Sequence, residues 1–140
     1  MMYYNAGPGR TDGSEDSFAG IGMASWRRDG FVSLRADAGG GSLLTSPFVP
    51  DGPELHLNLD ASKGEATVQA CDIQGRPVEA WSASKPSDPI RGDHLDAIVR
   101  WDPSDWATRI GKPLTLRIRM RNADLYSFWT SAGNLGKAPR

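Results

Sequence analysis

One cysteine, two histidines and no long apolar run mark this sequence, and each scarcity removes a class of explanation. A lone thiol, Cys71, cannot close an internal disulfide, so packing and hydrogen bonding must hold the fold. It lies in the strand-like run TVQACDI with no activating partner near it in sequence. That reads as a small semi-buried thiol, not a nucleophile. His56 and His94 belong to separate elements and share no metal-ligand spacing such as His-x-x-x-His. No apolar run approaches the roughly 20 residues needed to span a bilayer. The opening MMYYNAGPGR lacks the basic segment and long apolar stretch of a signal peptide. Charge of one sign is missing too: 16 Lys and Arg face 17 Asp and Glu, a formal net charge of −1. Without such a field, neither nucleic acid nor an anionic membrane is an expected partner.

Glycine and proline are what the sequence has in quantity, 16 and 10 residues respectively. In 140 residues, enough for one domain with a real core, that composition suits many short strands joined by turns. Residues 1–17 are polar and glycine-rich apart from their first four, and read as a strand or tail followed by a linker. From Phe18 the pattern becomes regular. IGMASWRR and FVSLRA flank Asp29-Gly30, a pair that favours a two-residue hairpin turn because both central positions need positive φ. ELHLNLD alternates strictly, with Leu55, Leu57 and Leu59 on one face and His56, Asn58 and Asp60 on the other, as a half-buried strand requires.

In LTLRIRMR, residues 114–121, the apolar Leu114, Leu116, Ile118 and Met120 likewise alternate with Thr115, Arg117, Arg119 and Arg121. SKGE (62–65) and NAD (122–124) read as turns, the latter leading into LYSFW as partner strand. The one helix-like hint is a turn near 103–107 with Asp102 as N-cap. Roughly eight or nine strands with turn signals between them predict an all-β, antiparallel, two-sheet β-sandwich, jelly-roll-like (concanavalin-like), with almost no helix. The domain is expected over 18–132, with a C-terminal tail at 133–140.

GIGMASWRRDGFVSLRADAGGGSLLTSPF, LHLNLDASKGEATVQACDIQGRPV, HLDAIVRW and LTLRIRMRNADLYSFW, in that order, resemble a known domain. It is the C-terminal β-sandwich that follows a five-bladed β-propeller in bacterial glycoside-hydrolase-like proteins of the fructosidase and arabinosidase type. The similarity covers about residues 18–129, and RRDGFVSL and ADLYSFW are its most recognisable pieces. The resemblance implies a non-catalytic accessory domain packing against an N-terminal propeller that carries the catalytic carboxylates. No catalytic residue is therefore carried over to this chain. It also implies that Tyr3 and Tyr4 resemble the last strand of that propeller. On a fragment, they would form an exposed apolar patch and promote homo-oligomers.

Two other readings stay open beside this one. A carbohydrate-binding module would stack oligosaccharide on flat aromatic rings, and Trp26, Trp81 and Trp106 are the platform candidates. The same three could instead be packing or interdomain contacts; Trp101, on the face of Leu95 and Val99, reads as core. A stand-alone carbohydrate-active enzyme would need two carboxyl groups across a cleft. The acidic pairs Glu15–Asp16, Asp93–Asp96 and Asp102–Asp105 have instead the spacing of turn and capping residues. The stripe Arg117, Arg119 and Arg121, with Arg27, Arg28 and Arg35 on the predicted hairpin, is read as cross-strand pairing or interdomain contact. No cofactor is expected. Asp12, Glu15 and Asp16 are the acids from which a structural calcium would draw oxygens, although the segment reads more naturally as an acidic loop.

Overall fold

The computed structural model describes residues 2–6, 20–101 and 105–132. The regular structure of the described residues is almost entirely β, and their only helical parts are single 3-10 turns at Ser82–Ser84 and Trp106–Arg109. The strands are β1 (Met2–Ala6), β2 (Gly20–Ala24), β3 (Leu34–Ala36), β4 (Gly41–Leu44), β5 (Glu54–Cys71), β6 (Ile90–Ile98), β7 (Thr115–Arg121) and β8 (Ala123–Ser131). Every pairing among them is antiparallel. The chain divides into two compact units, Met1–Phe31 and Val32–Arg140.

In the first unit, β1 and β2 form a two-stranded ribbon, with Tyr3 opposite Met23 and Tyr4 opposite Gly22. The Tyr4 ring covers Gly22 so closely that a Cβ there would meet Cζ at 2.4 Å. Tyr3 and Tyr4 thus belong to a sheet of this chain. The Asp29-Gly30 hairpin does not form as expected. The turn closes one residue earlier, with the Gly30 N–H donating to the Arg27 carbonyl at 2.9 Å. Asp29 alone takes positive φ, at 54°. A type I′ turn needs two such residues in succession. The flanking strands accordingly pair elsewhere: β2 with β1, and β3 with β8.

The second unit is one continuous six-stranded sheet, nearly barrel-shaped, in the order β3-β8-β5-β7-β4 with β6 also on β5. Its logic lies in β5. The first half of this 18-residue strand pairs with β8 and the second half with β7. Only Asn122 separates β7 from β8, so the two act as one long partner. β3 and β4 repeat the arrangement outside, on β8 and β7 respectively.

A line of irregular residues therefore crosses the whole sheet: 37–40, Asn122, 61–64 and Gly92. Positive φ recurs along it, at 77° for Gly40, 45° for Asn122 and 96° for Gly92. Between the pairs Asp60–Asp124 and Glu65–Arg121, four residues of β5 oppose two of its partner. Such bulges add local twist and bend a sheet. They also reset side-chain parity. Leu55, Leu57, Leu59 and Ala61 are buried before the line, and Ala66, Val68 and Ala70 after it. The apolar face stays inward while the sheet bends. SKGE and NAD, expected as chain reversals, are two sides of this one corner.

The core gathers those residues with Leu116, Ile118, Met120 and Leu125, and the loops add Trp101 and Trp106. Full burial of each large apolar side chain contributes about 1.5–3 kcal/mol. The two indoles are stacked, with centroids 5.5 Å apart at an interplanar angle of 13°. Both spend their N–H on backbone, Trp101 on the Val68 carbonyl and Trp106 on that of Gly52, each at 3.2 Å.

Candidate functional site

The three tryptophans proposed as a sugar platform have different fates. Trp106 is only 2% exposed, with its ring against Trp101, so it offers no face to a ligand. That candidate is withdrawn: the 3-10 turn Trp106–Arg109 aims its first side chain into the core. Trp81 is half-buried against the core, and the Arg109 guanidinium lies 4.5 Å from its ring centroid. A cation–π partner already occupies that ring. Trp26 is 39% exposed and sits 4.8 Å from Phe31 within the first unit.

The arginine stripe is tied into the fold. Arg117 donates to the Gly75 carbonyl at 2.7 Å. Arg121 approaches Glu65 at 3.4 Å, and the same carboxylate receives Arg91 at 2.5 Å. Arg119 points outward from β7 and is exposed. On the neighbouring edge, Arg35 donates to Asp124 at 2.9 Å. That contact, helped by the Ser33 hydroxyl and opposed by partial burial, holds the Asp124 carboxyl below its ordinary range. Exposed pairs of this kind contribute at most about 1 kcal/mol each.

Of the acidic candidates, Asp12, Glu15, Asp16 and Asp102 lie outside the described residues. Among the described residues, no group of three or more His, Cys, Asp or Glu is arranged to hold a metal. Asp105 is structural. Its carboxylate accepts the Ser82 hydroxyl at 2.8 Å and the N–H groups of Ser82 and Ala83 at 3.2 and 3.1 Å, joining the two 3-10 turns. Burial opposes its ionisation, but those donors and Arg109 outweigh it and hold the group below the usual range.

A carboxyl held low in the folded state lends stability above its unfolded pKa and loses it as pH falls through the folded value. We expect Asp105→Ala to cost about 1–2 kcal/mol at neutral pH. The gap in melting temperature should start to narrow as pH falls below about 4 and close only through the lower folded value. A gap that stays constant down to pH 3 would contradict the assignment.

Cys71 is fully buried, and burial pushes its thiol up, as expected of an inert core residue.

The densest polar arrangement was not foreseen. On the sheet face opposite Leu55 and Leu57, three adjacent strands bring Ser131 (β8), His56 (β5) and Asp96 (β6) together. His56 Nδ1 lies 2.5 Å from Asp96 Oδ1, and Nε2 lies 2.8 Å from Ser131 Oγ. Glu54 Oε2 is 3.5 Å from the same Nε2. The Trp129 ring stacks flat on the imidazole, 5.2 Å away at 8°. His56 is only 6% exposed, a polar-face residue whose two ring nitrogens are both taken up by these contacts. These groups line a cleft of about 370 Å³, which adjoins a second of about 490 Å³ at Glu54 and Ile98.

Sequence reasoning missed this cluster because register creates it. His56 faces Trp129 and Glu54 faces Ser131, across β strands far apart in the chain. Comparisons with family models, curated proteins and solved structures return no match. Function is therefore argued from these sites and from the resemblance in the residues.

Proposed function

We propose that this chain is an accessory β domain of a glycoside-hydrolase-like protein, non-catalytic in glycoside hydrolysis and packing against a propeller. In this reading the two halves of the bent sheet act as the leaves of a jelly-roll-like sandwich. One observation carries it: the apolar surface of the β1–β2 ribbon. Tyr3 is 67% exposed, Ile21 80% and Met23 58%, all on one face of the ribbon. A two-stranded ribbon is marginal in water by itself, and contiguous exposed apolar groups of this size mark an interaction surface. A domain built to cover a neighbour needs such a face.

The isolated chain is then expected to self-associate at high concentration through that ribbon. In analytical ultracentrifugation the triple substitution Tyr3→Ser, Ile21→Ser and Met23→Ser should return it to monomer. A wild-type chain that stays monomeric at millimolar concentration would remove the main support for a covered face.

Exposed Trp26 beside Phe31 favours a second reading, a carbohydrate-binding module. Calorimetric titration with fructans, arabinans and acidic glycans separates the two. Packing alone gives no heat, whereas saturable heat that Trp26→Ala abolishes would establish the sugar-binding reading.

A further inference from the structure

We propose that Ser131, His56 and Asp96 form a nucleophile, base and orienting carboxylate that make Ser131 acylable by small esters. The arrangement meets the geometric conditions of an activated serine: nucleophile and base within hydrogen-bond reach, and the base held by a third group. The same relay recurs on unrelated folds, so a β scaffold does not exclude it. The second unit supplies all three residues.

The tautomer follows from the partners. An ionised carboxylate only accepts hydrogen bonds, so the 2.5 Å contact with Asp96 places the imidazole proton on Nδ1. Nε2 is then left as acceptor for the Ser131 hydroxyl, 2.8 Å away. Trp129 stacks on one face of the ring and fixes its plane. Glu54, 3.5 Å from Nε2, adds a negative charge where the imidazolium would form.

The step balances without an external oxidant or cofactor. Ser131 Oγ bonds to the ester carbonyl carbon while its proton moves to His56 Nε2. The bond between that carbon and the leaving oxygen breaks, and the leaving group takes the proton from Nε2. Water then cleaves the acyl-serine, releasing a carboxylic acid and restoring the hydroxyl. Glu54 and Asp96 beside the cleft disfavour anionic substrates, so small neutral or cationic esters are the class that fits. The Asp96 side chain is 60% exposed. Solvent weakens its hold on the imidazole, and Asp96 is accordingly a positioning residue of modest effect.

The test is to treat the whole chain with p-nitrophenyl acetate, following nitrophenolate release and mapping acetyl groups by peptide mass spectrometry. Acetylation at Ser131 is expected, falling about 100-fold in His56→Asn, the usual scale for removing a general base. Ser131→Ala, at the partly exposed end of β8, should lose the release burst while keeping the wild-type melt. It serves as the deciding variant if His56→Asn fails to fold. Asp96→Asn should slow the rate at saturation on the order of 10-fold without moving the half-saturating probe concentration. Acetyl groups confined to lysines, or a burst unchanged in Ser131→Ala, would overturn the proposal.

Discussion

Replacing Trp106 with alanine is expected to destabilise the folded chain by about 3–5 kcal/mol, the range for deleting a large buried aromatic. Three losses combine. The indole is 2% exposed and stacks on Trp101, so its removal opens a void beside the second ring. Its N–H also serves the Gly52 carbonyl, which would be left without that donor. Domains of this size have only about 5–15 kcal/mol in hand, so the variant should unfold at markedly lower urea. Trp106→Phe separates the contributions. It restores most of the packing and leaves the carbonyl unserved, a residual cost of about 1 kcal/mol. A loss below 1 kcal/mol for the alanine variant would mean that the ring is not buried, and would return Trp106 to the candidates for a sugar platform.

Trp106 also shows where the sequence stops speaking. Beside a loop, with turn residues before and after it, a tryptophan carries no periodic signal. Its inward aim depends on the 3-10 turn Trp106–Arg109 and on Asp105, which binds that turn to Ser82–Ser84. Trp101 was legible because it shares a face with Val99 in an alternating run. Alternation likewise located β5 and β7 and their buried leucines, since a period of two has one reading in a half-buried strand.

What alternation does not carry is pairing. Residues 62–65 and 122–124 look like turns because each holds polar residues and a change of parity. A reversal and a corner both require that. Only the pairing of β5 with β8 and then β7 distinguishes them, and it rests on contacts across more than fifty positions, such as Glu65 with Arg121. The Asp29-Gly30 hairpin failed for a related reason. The local pair suits the turn, but β2 and β3 each find a different partner, and tertiary pairing decides.

The polar cluster at His56 depends on pairing as well. His56, Asp96 and Ser131 are ordinary residues of three alternating runs. Residue 56 next to 98 on one side and 129 on the other is a fact of register. A shift of one residue in β8 would send Ser131 to the opposite face of the sheet.

The corner itself depends on Gly64. The second large effect is therefore expected from Gly64→Ala. A Cβ at this position would stand 1.7 Å from the Arg121 carbonyl oxygen and 2.8 Å from that of Asn122. Both obstacles are backbone, so no rotamer change relieves them. Either β5 moves away from β7 and β8 or the bulge at 61–64 is redrawn. Overpacking typically costs about 1–3 kcal/mol, occasionally more, and a clash with paired backbone belongs at or above the top of that range.

Gly41→Ala is the matched control. Its added carbon meets only the Ala36 Cβ at 3.4 Å, on the edge strand β4. It should be neutral or slightly stabilising, because alanine narrows the unfolded ensemble. Urea midpoints for the two variants decide the matter. If both shift equally little, residues 62–65 are a pliable turn, and the sheet does not depend on the close approach of β5 to the junction of β7 and β8. If Gly64→Ala alone collapses, the bend is built into the backbone.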